Sequence, residues 1–274
     1  MSARARVRPV MAVAAREVVT LARTRAVAML AVAFALTTVG VALVTDAPAR
    51  GYVPAVIDLL TPMELLVPVL AVALGYRAIL GDATRGELEV LRTYPLRPWQ
   101  HVAGAFLGRA VGVVAVVVLS LGLVGVLVAV TPAETVRIYA THETADSPLL
   151  FARFVVLTAA LGLVFLAIAL AISALARSTR GAIAAGAAVL LVALLALEVA
   201  IAQGLAGGWV AEDRLAFVLA LVPNGAFRGL VLETAVTVTP GDARAASPVA
   251  SAVSLAGWAA VGLVAAALGL GRRA

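Results

Sequence analysis

Residues Ala110–Ala133 read AVGVVAVVVLSLGLVGVLVAVTPA, 24 residues without a charge between Arg109 and Glu134. About 20 consecutive apolar residues let an α-helix cross a ~30 Å hydrocarbon core. The run has no alternation of period two, which excludes a transmembrane β-barrel strand. Lipid admits only helices or closed barrels, because each backbone polar group must be satisfied within the protein. This stretch is therefore a transmembrane helix. The same test finds Ala26–Thr45, Phe154–Ala176 and Ala245–Gly271, all uncharged. Leu59–Tyr76 and Gly181–Gln203 each tolerate one acid, Glu64 and Glu198. The expected fold class is all-α integral membrane, a single transmembrane domain over 1–274 with six membrane helices.

Composition agrees. The chain has 274 residues, 63% apolar and 13% charged, with no cysteine. A soluble domain carries about 25% charge, so a soluble globule and a disordered tail are excluded. Without cysteine there is no disulfide, thiolate nucleophile or cysteine-held metal. All 21 basic residues are arginine, and the pI is near 10.9. With the N-terminus inside, 15 of the 21 arginines face the cytoplasm; Arg50, Arg137, Arg153, Arg214, Arg228 and Arg244 face outward. Eleven of the 15 acids fall on the outer side, and Glu17, Asp82, Glu87 and Glu89 fall inside. The positive-inside rule thus places both termini in the cytoplasm of a plasma-membrane protein. Topology explains the basic pI, and no nucleic-acid partner is implied.

The first 25 residues lack the short apolar core and small-residue site of a cleavable signal. Val7, Val10, Met11, Ala14, Val18 and Leu21 fall at helical spacing, with Arg8, Arg16 and Arg23 off that stripe. We expect an elbow helix over 1–25 lying on the inner lipid surface; a basic tail that only sets topology is the alternative. Between 204 and 248 the longest uncharged run, Leu215–Phe227, has 13 residues and is interrupted by Pro223-Asn224-Gly225. That length suits a re-entrant pair of short helices better than a span. A span over Arg214–Val238 would carry Arg228 near mid-bilayer, at about 2.5–3.5 kcal/mol.

Catalytic signatures are missing. His101 and His142 lie in different loops on opposite sides, and no histidine–carboxylate cluster at ligand spacing occurs. There is no Gly-x-Ser-x-Gly elbow, no Asp-rich magnesium motif, and, without lysine, no phosphate loop. The chain is not expected to be an enzyme, to hold a metal or cofactor, or to hydrolyse ATP. Intramembrane acids can serve proton relays or cation sites, but Glu64 and Glu198 read as solvated outer ends of their helices. Gly181, Ala185, Gly186 and Ala193 read as helix-packing residues.

The segment 77–102 is the largest cytoplasmic loop. Connections of 2–8 residues suffice between bundle helices, so about 25 exceeds what connection requires. Within it Leu88 and Leu91 share a helical face among Glu87, Glu89 and Arg92, Pro95 stops the helix, and Trp99 is an interfacial anchor. Gly104 and Gly108 permit close packing as the third span begins.

Arg85-Gly86-Glu87-Leu88-Glu89-x-Leu91-x-x-x-Pro95, followed by Gly104-x-x-x-Gly108, resembles the first cytoplasmic loop of type-2 ABC exporter permeases. Two positions depart from that pattern: Glu87 stands for the usual Thr and Ala105 for the usual Lys. The elbow, six spans, a short turn at Arg177–Gly181 and paired outer helices extend the likeness over most of the chain. Among these permeases it is most similar to those of nitrous oxide reductase maturation. The resemblance implies an ATPase-coupling loop in which Arg85, Gly86, Glu87, Leu88, Glu89, Leu91, Arg92 and Pro95 dock on a separate cytosolic ABC ATPase. ATP and magnesium would belong to that partner, and a second permease copy and membrane lipid would complete the assembly. An ion-coupled secondary carrier, which needs mid-membrane acids or broken helices in repeated halves, and a non-transporting structural subunit are the alternatives.

Overall fold

A computed structural model of the chain describes residues 3–84, 86, 97–132, 146–209, 214–236 and 247–272. The described residues form α1 (Ala3–Arg23), α2 (Arg25–Val44), α3 (Ala47–Arg50), α4 (Tyr52–Gly75), α5 (Ala78–Thr84), α6 (Pro98–Val130) and α7 (Pro148–Leu175). They continue through α8 (Thr179–Leu191), a π-helical turn at Val192–Ala196, α9 (Leu197–Ala206), α10 (Leu215–Ala220), α11 (Pro223–Val231), a second π-helical turn at Leu232–Val236, and α12 (Pro248–Gly271). Among the described residues six helical segments are long and apolar enough to cross a membrane: Arg25–Val44, Tyr52–Thr84, Pro98–Val130, Pro148–Leu175, Thr179–Ala206 and Pro248–Gly271. The six expected spans are therefore present.

Local chemistry starts several of these helices. Ser147, Ser178 and Ser247 accept from the amides of Leu149, Gly181 and Ala250, capping α7, α8 and α12. Proline opens α6, α7 and α12, where its missing N–H costs nothing. At α6 the Gln100 side chain reaches back to accept from the Arg97 amide at 2.9 Å.

α7 is the hub of the bundle. Phe154, Leu161, Phe165, Leu166 and Leu170 on it are fully buried, and it packs against α4, α6 and α12. Small residues set the approach: a Cβ on Gly262 of α12 would lie 2.7 Å from the Ala167 backbone, and one on Gly162 would lie 2.7 Å from Val113. α2 and α8 lie at the periphery, with Met29, Leu36, Ile183 and Leu191 exposed. An apolar surface of this kind needs lipid rather than water around it.

Two boundaries move in an informative way. α6 begins at Pro98, well before the expected Ala110, because Arg109 is accommodated by protein partners and does not end the helix. α4 begins at Tyr52 rather than Leu59, because Asp58 pairs with Arg50. Glu64 is consequently the thirteenth of 24 helical residues, in the middle of α4 and not near an end of it.

Candidate functional site

The elbow segment is helical, and its buried face is Val10, Val13, Ala14, Glu17 and Leu21. Val7 and Met11, expected on the apolar stripe, are 55% and 56% exposed. The difference comes from α6, whose Gly104, Gly108 and Gly112 form a shallow trough for α1. A Cβ on Gly104 would lie 2.5 Å from Val13 Cβ, and one on Gly108 would lie 2.5 Å from Glu17 Cβ. The glycine spacing was readable in the sequence; the partner was not.

Charges seal that contact. Arg109 Nε of α6 donates to Glu17 Oε2 at 2.9 Å, and its Nη1 donates to the Leu74 carbonyl in the last turn of α4. Carbonyls there have no intrahelical partner, so Arg109 caps α4. Arg16 Nη2 donates to Glu17 Oε1 at 2.9 Å and to Asp82 Oδ2 of α5 at 2.6 Å. His101 Nε2 of α6 stands 3.3 Å from Asp82 Oδ2. Glu17, Asp82 and His101 are all buried. Burial alone would lower the pKa of Arg16, but its hydrogen bond to Asp82 and the charges of Asp82 and Glu17 outweigh this and raise it. Arg16 lies off the apolar stripe, as its spacing predicts, but its pairing with Asp82 and that of Glu17 with Arg109 join residues 66 and 92 positions apart, which no local pattern records.

α5 is anchored from its other side. Ser173 Oγ of α7 accepts from the amides of Ile79 and Leu80, both at 3.0 Å, which are unpaired donors of the first turn of α5. The two helices that flank the long loop, α5 and α6, are thus held together and tied to α1, α4 and α7. Of the expected coupling residues, Arg85, Glu87, Leu88, Glu89, Leu91, Arg92 and Pro95 lie outside the described residues. Gly86 has φ +72°, a conformation that favours glycine, in open space. Trp99, the expected anchor, is 45% exposed in the first turn of α6. Among the described residues no group of three or more histidine, aspartate, glutamate or cysteine side chains could hold a metal ion. His142 and the side chain of Glu198 are outside the described residues.

A second polar site lies at mid-bundle. The expectation of a solvated Glu64 is corrected: it is buried and bound to Arg228 of α11, which donates Nε to Oε1 at 2.8 Å and Nη2 to Oε2 at 2.5 Å. Such a fork is the strongest carboxylate–guanidinium geometry. Pro68 has no N–H for the carbonyl of Glu64, four residues earlier. Asn224 Nδ2 donates to that carbonyl at 3.3 Å. The turn between α10 and α11 is fixed from the opposite side, where Leu221 O accepts from Trp258 Nε1 at 2.9 Å and Ser254 Oγ at 3.2 Å, both on α12. Two short helices, α10 and α11, occupy the stretch expected to be re-entrant, and their turn reaches the middle of α4. Of the expected packing residues, Gly186 stands 2.9 Å (as Cβ) from Val72 and Ala193 is buried, whereas Gly181 and Ala185 line an open apolar groove against α7.

Residues 11–273 match the family described as "ABC-2 family transporter protein". The chain is 32% identical over 218 residues to "Probable ABC transporter permease protein NosY" of Pseudomonas aeruginosa, covering 75% of each chain. It is 29% identical over 214 residues to the protein of the same printed name from Stutzerimonas stutzeri, again covering 75% of each.

Proposed function

This chain belongs to the ABC-2 transporter family, and from that premise we propose that it is the membrane subunit of an exporter driven by a separate cytosolic ATPase. The loop between α5 and α6 receives the ATPase in this reading. Glu87, Glu89, Arg85 and Arg92 make rim charge pairs there, and Leu88 and Leu91 provide an apolar anchor. ATP and magnesium are held by the ATPase, two copies of which serve two copies of the permease. Both termini are cytoplasmic, α1 lies along the inner surface, and the α10–α11 hairpin enters from the outer side.

One observation carries this reading: the ionic and capping network directly beneath the loop. Asp82 joins α5 to Arg16, Arg109 joins α6 to Glu17 and to the end of α4, and Ser173 joins α5 to α7. A push on the loop is then delivered to several helices at once, because packed elements shift as units. An ion-coupled carrier would use a mid-membrane acid open to a cation; Glu64 is closed on Arg228.

The test is co-purification of the ATPase with Glu89→Ala and Leu91→Ala permease. Loss of ATPase with normal membrane insertion is expected. Full recovery of ATPase with both variants counts against the docking role.

A further inference from the structure

We propose that Glu64, Asn224 and Arg228 form a two-point latch that holds the α10–α11 hairpin in a docked position, and that this latch opens and closes during transport. The latch deepens the exporter reading and rests on it for its place in the cycle.

The hairpin has little means of standing alone. α10 has 6 residues and α11 has 9, shorter than the ~12–15 at which isolated helices become even marginal. It keeps its shape by docking. On the α12 side its hydrogen bonds converge on one carbonyl, Leu221 O, beside direct packing of α11 on α12 and of Phe227 on Phe154 of α7. On the α4 side it is the Asn224 amide on the Glu64 carbonyl and the Arg228 fork on the Glu64 carboxylate. One residue of α4 therefore receives both points.

Three features suit this contact to release. First, a buried ion pair adds little net stability against its desolvation cost, while it strongly selects one geometry. The pair thus selects the docked geometry, while the buried Ala226, Phe227, Leu230 and Val231 supply its apolar hold. Second, the pair is lopsided: the Glu64 side chain is 6% exposed and that of Arg228 is 42% exposed. The guanidinium stands at the edge of the seam, where it can be re-solvated before the carboxylate is uncovered. Third, α4 is weakened on both sides of Glu64 by Pro62 and Pro68, and internal prolines are where helices bend.

The latch also has a mechanical line to the loop. Glu64 lies ten residues, about 15 Å of helix, from Leu74, whose carbonyl is held by Arg109. Beyond Leu74 the chain passes directly into α5, held by Ser173 and Asp82. Tilt imposed on α5 and α6 reaches Glu64 through an unbroken segment of α4 that Pro68 allows to bend. Closing the seam then restores the fork.

The cysteine-free chain permits a clean test. Ala226 on α11 is fully buried, so Ala226→Cys reports hairpin opening by its rate of reaction with a membrane-impermeant maleimide. In the purified permease the reporter is expected to label slowly. Adding Glu64→Gln or Arg228→Gln is expected to raise the rate about tenfold or more, the factor set by losing a charged hydrogen bond. The exchange Glu64→Arg with Arg228→Glu is expected to bring the rate back toward the parent. Arg228→Lys keeps the charge and loses the fork; it is expected to label faster than the parent and covers the case in which charge removal prevents folding. Equal rates in the parent and the folded single variants overturn the latch, as does an exchange variant that labels as fast as either single variant. In the complex with its ATPase, trapping the ATP-bound state is expected to change the parent rate several-fold, and an unchanged rate overturns the latch's part in the cycle. Failure of the exporter reading itself would show elsewhere, in ATPase recovery from the loop variants.

Discussion

Arg109 of α6 and Glu17 of α1 meet at 2.9 Å across 92 residues of sequence. The pair closes the end of the bundle where α4 stops, because the same guanidinium holds the last-turn carbonyl of Leu74. Removing one member of a buried pair leaves the other charge uncompensated, at about 3–5 kcal/mol. Glu17→Gln and Arg109→Gln should each lower the thermal midpoint of the detergent-purified chain, and the double variant should cost less than the sum. Additive losses would show that the two residues act independently.

Gly104 and Gly108 admit α1 against α6 with hypothetical Cβ distances of 2.5 Å. Gly104→Val and Gly108→Val should displace α1, at a cost of about 1–3 kcal/mol for overpacking. Trypsin cleavage at the α1 arginines should become faster. Gly122 of the same helix has nothing within 4 Å, so Gly122→Ala should be neutral or stabilising by up to about 1 kcal/mol. Equal damage from all three changes would refute the trough.

Ser173 takes up two amides of the first turn of α5 with one hydroxyl. Ser173→Ala leaves Ile79 and Leu80 with buried donors, costing about 1–3 kcal/mol. Hydrogen exchange should accelerate at those two amides more than elsewhere in the chain. Unchanged protection there would mean that other acceptors replace Ser173.

Asp146 acts as a remote cap: its Oδ2 and Oδ1 accept from the amides of Tyr52 at 3.0 Å and Val53 at 2.8 Å, at the start of α4. Gly51, at φ +111°, makes room for it; a Cβ there would lie 2.5 Å from Oδ2. Asp146→Ala should cost about 1 kcal/mol, the usual worth of an N-cap. Gly51→Ala should cost more, since it adds backbone strain to a lost cap. A thermal midpoint lower in Asp146→Ala than in Gly51→Ala would reverse that ranking and reject the explanation.

The spans and the small-residue spacing on α6 were legible because each is written in neighbouring residues. A run without charge is a span wherever the rest of the chain goes. The elbow was legible as a helix, but its buried face was offset. The stripe that contains Val7 and Met11 follows apolarity alone, whereas the buried face that contains Glu17 follows its partner Arg109.

The sequence by itself determined that this chain crosses a membrane six times, because hydrophobic length is a local quantity and lipid leaves the backbone no other choice. The family followed from local residues too, in the Arg85–Pro95 pattern. What only the tertiary structure decided was the state of the charges. Glu64 read as the solvated end of a short span; in the fold it lies mid-helix on Arg228, 164 residues away. A carboxylate in an apolar helix is solvated, paired or neutral according to what is brought beside it. That neighbour is chosen by the fold.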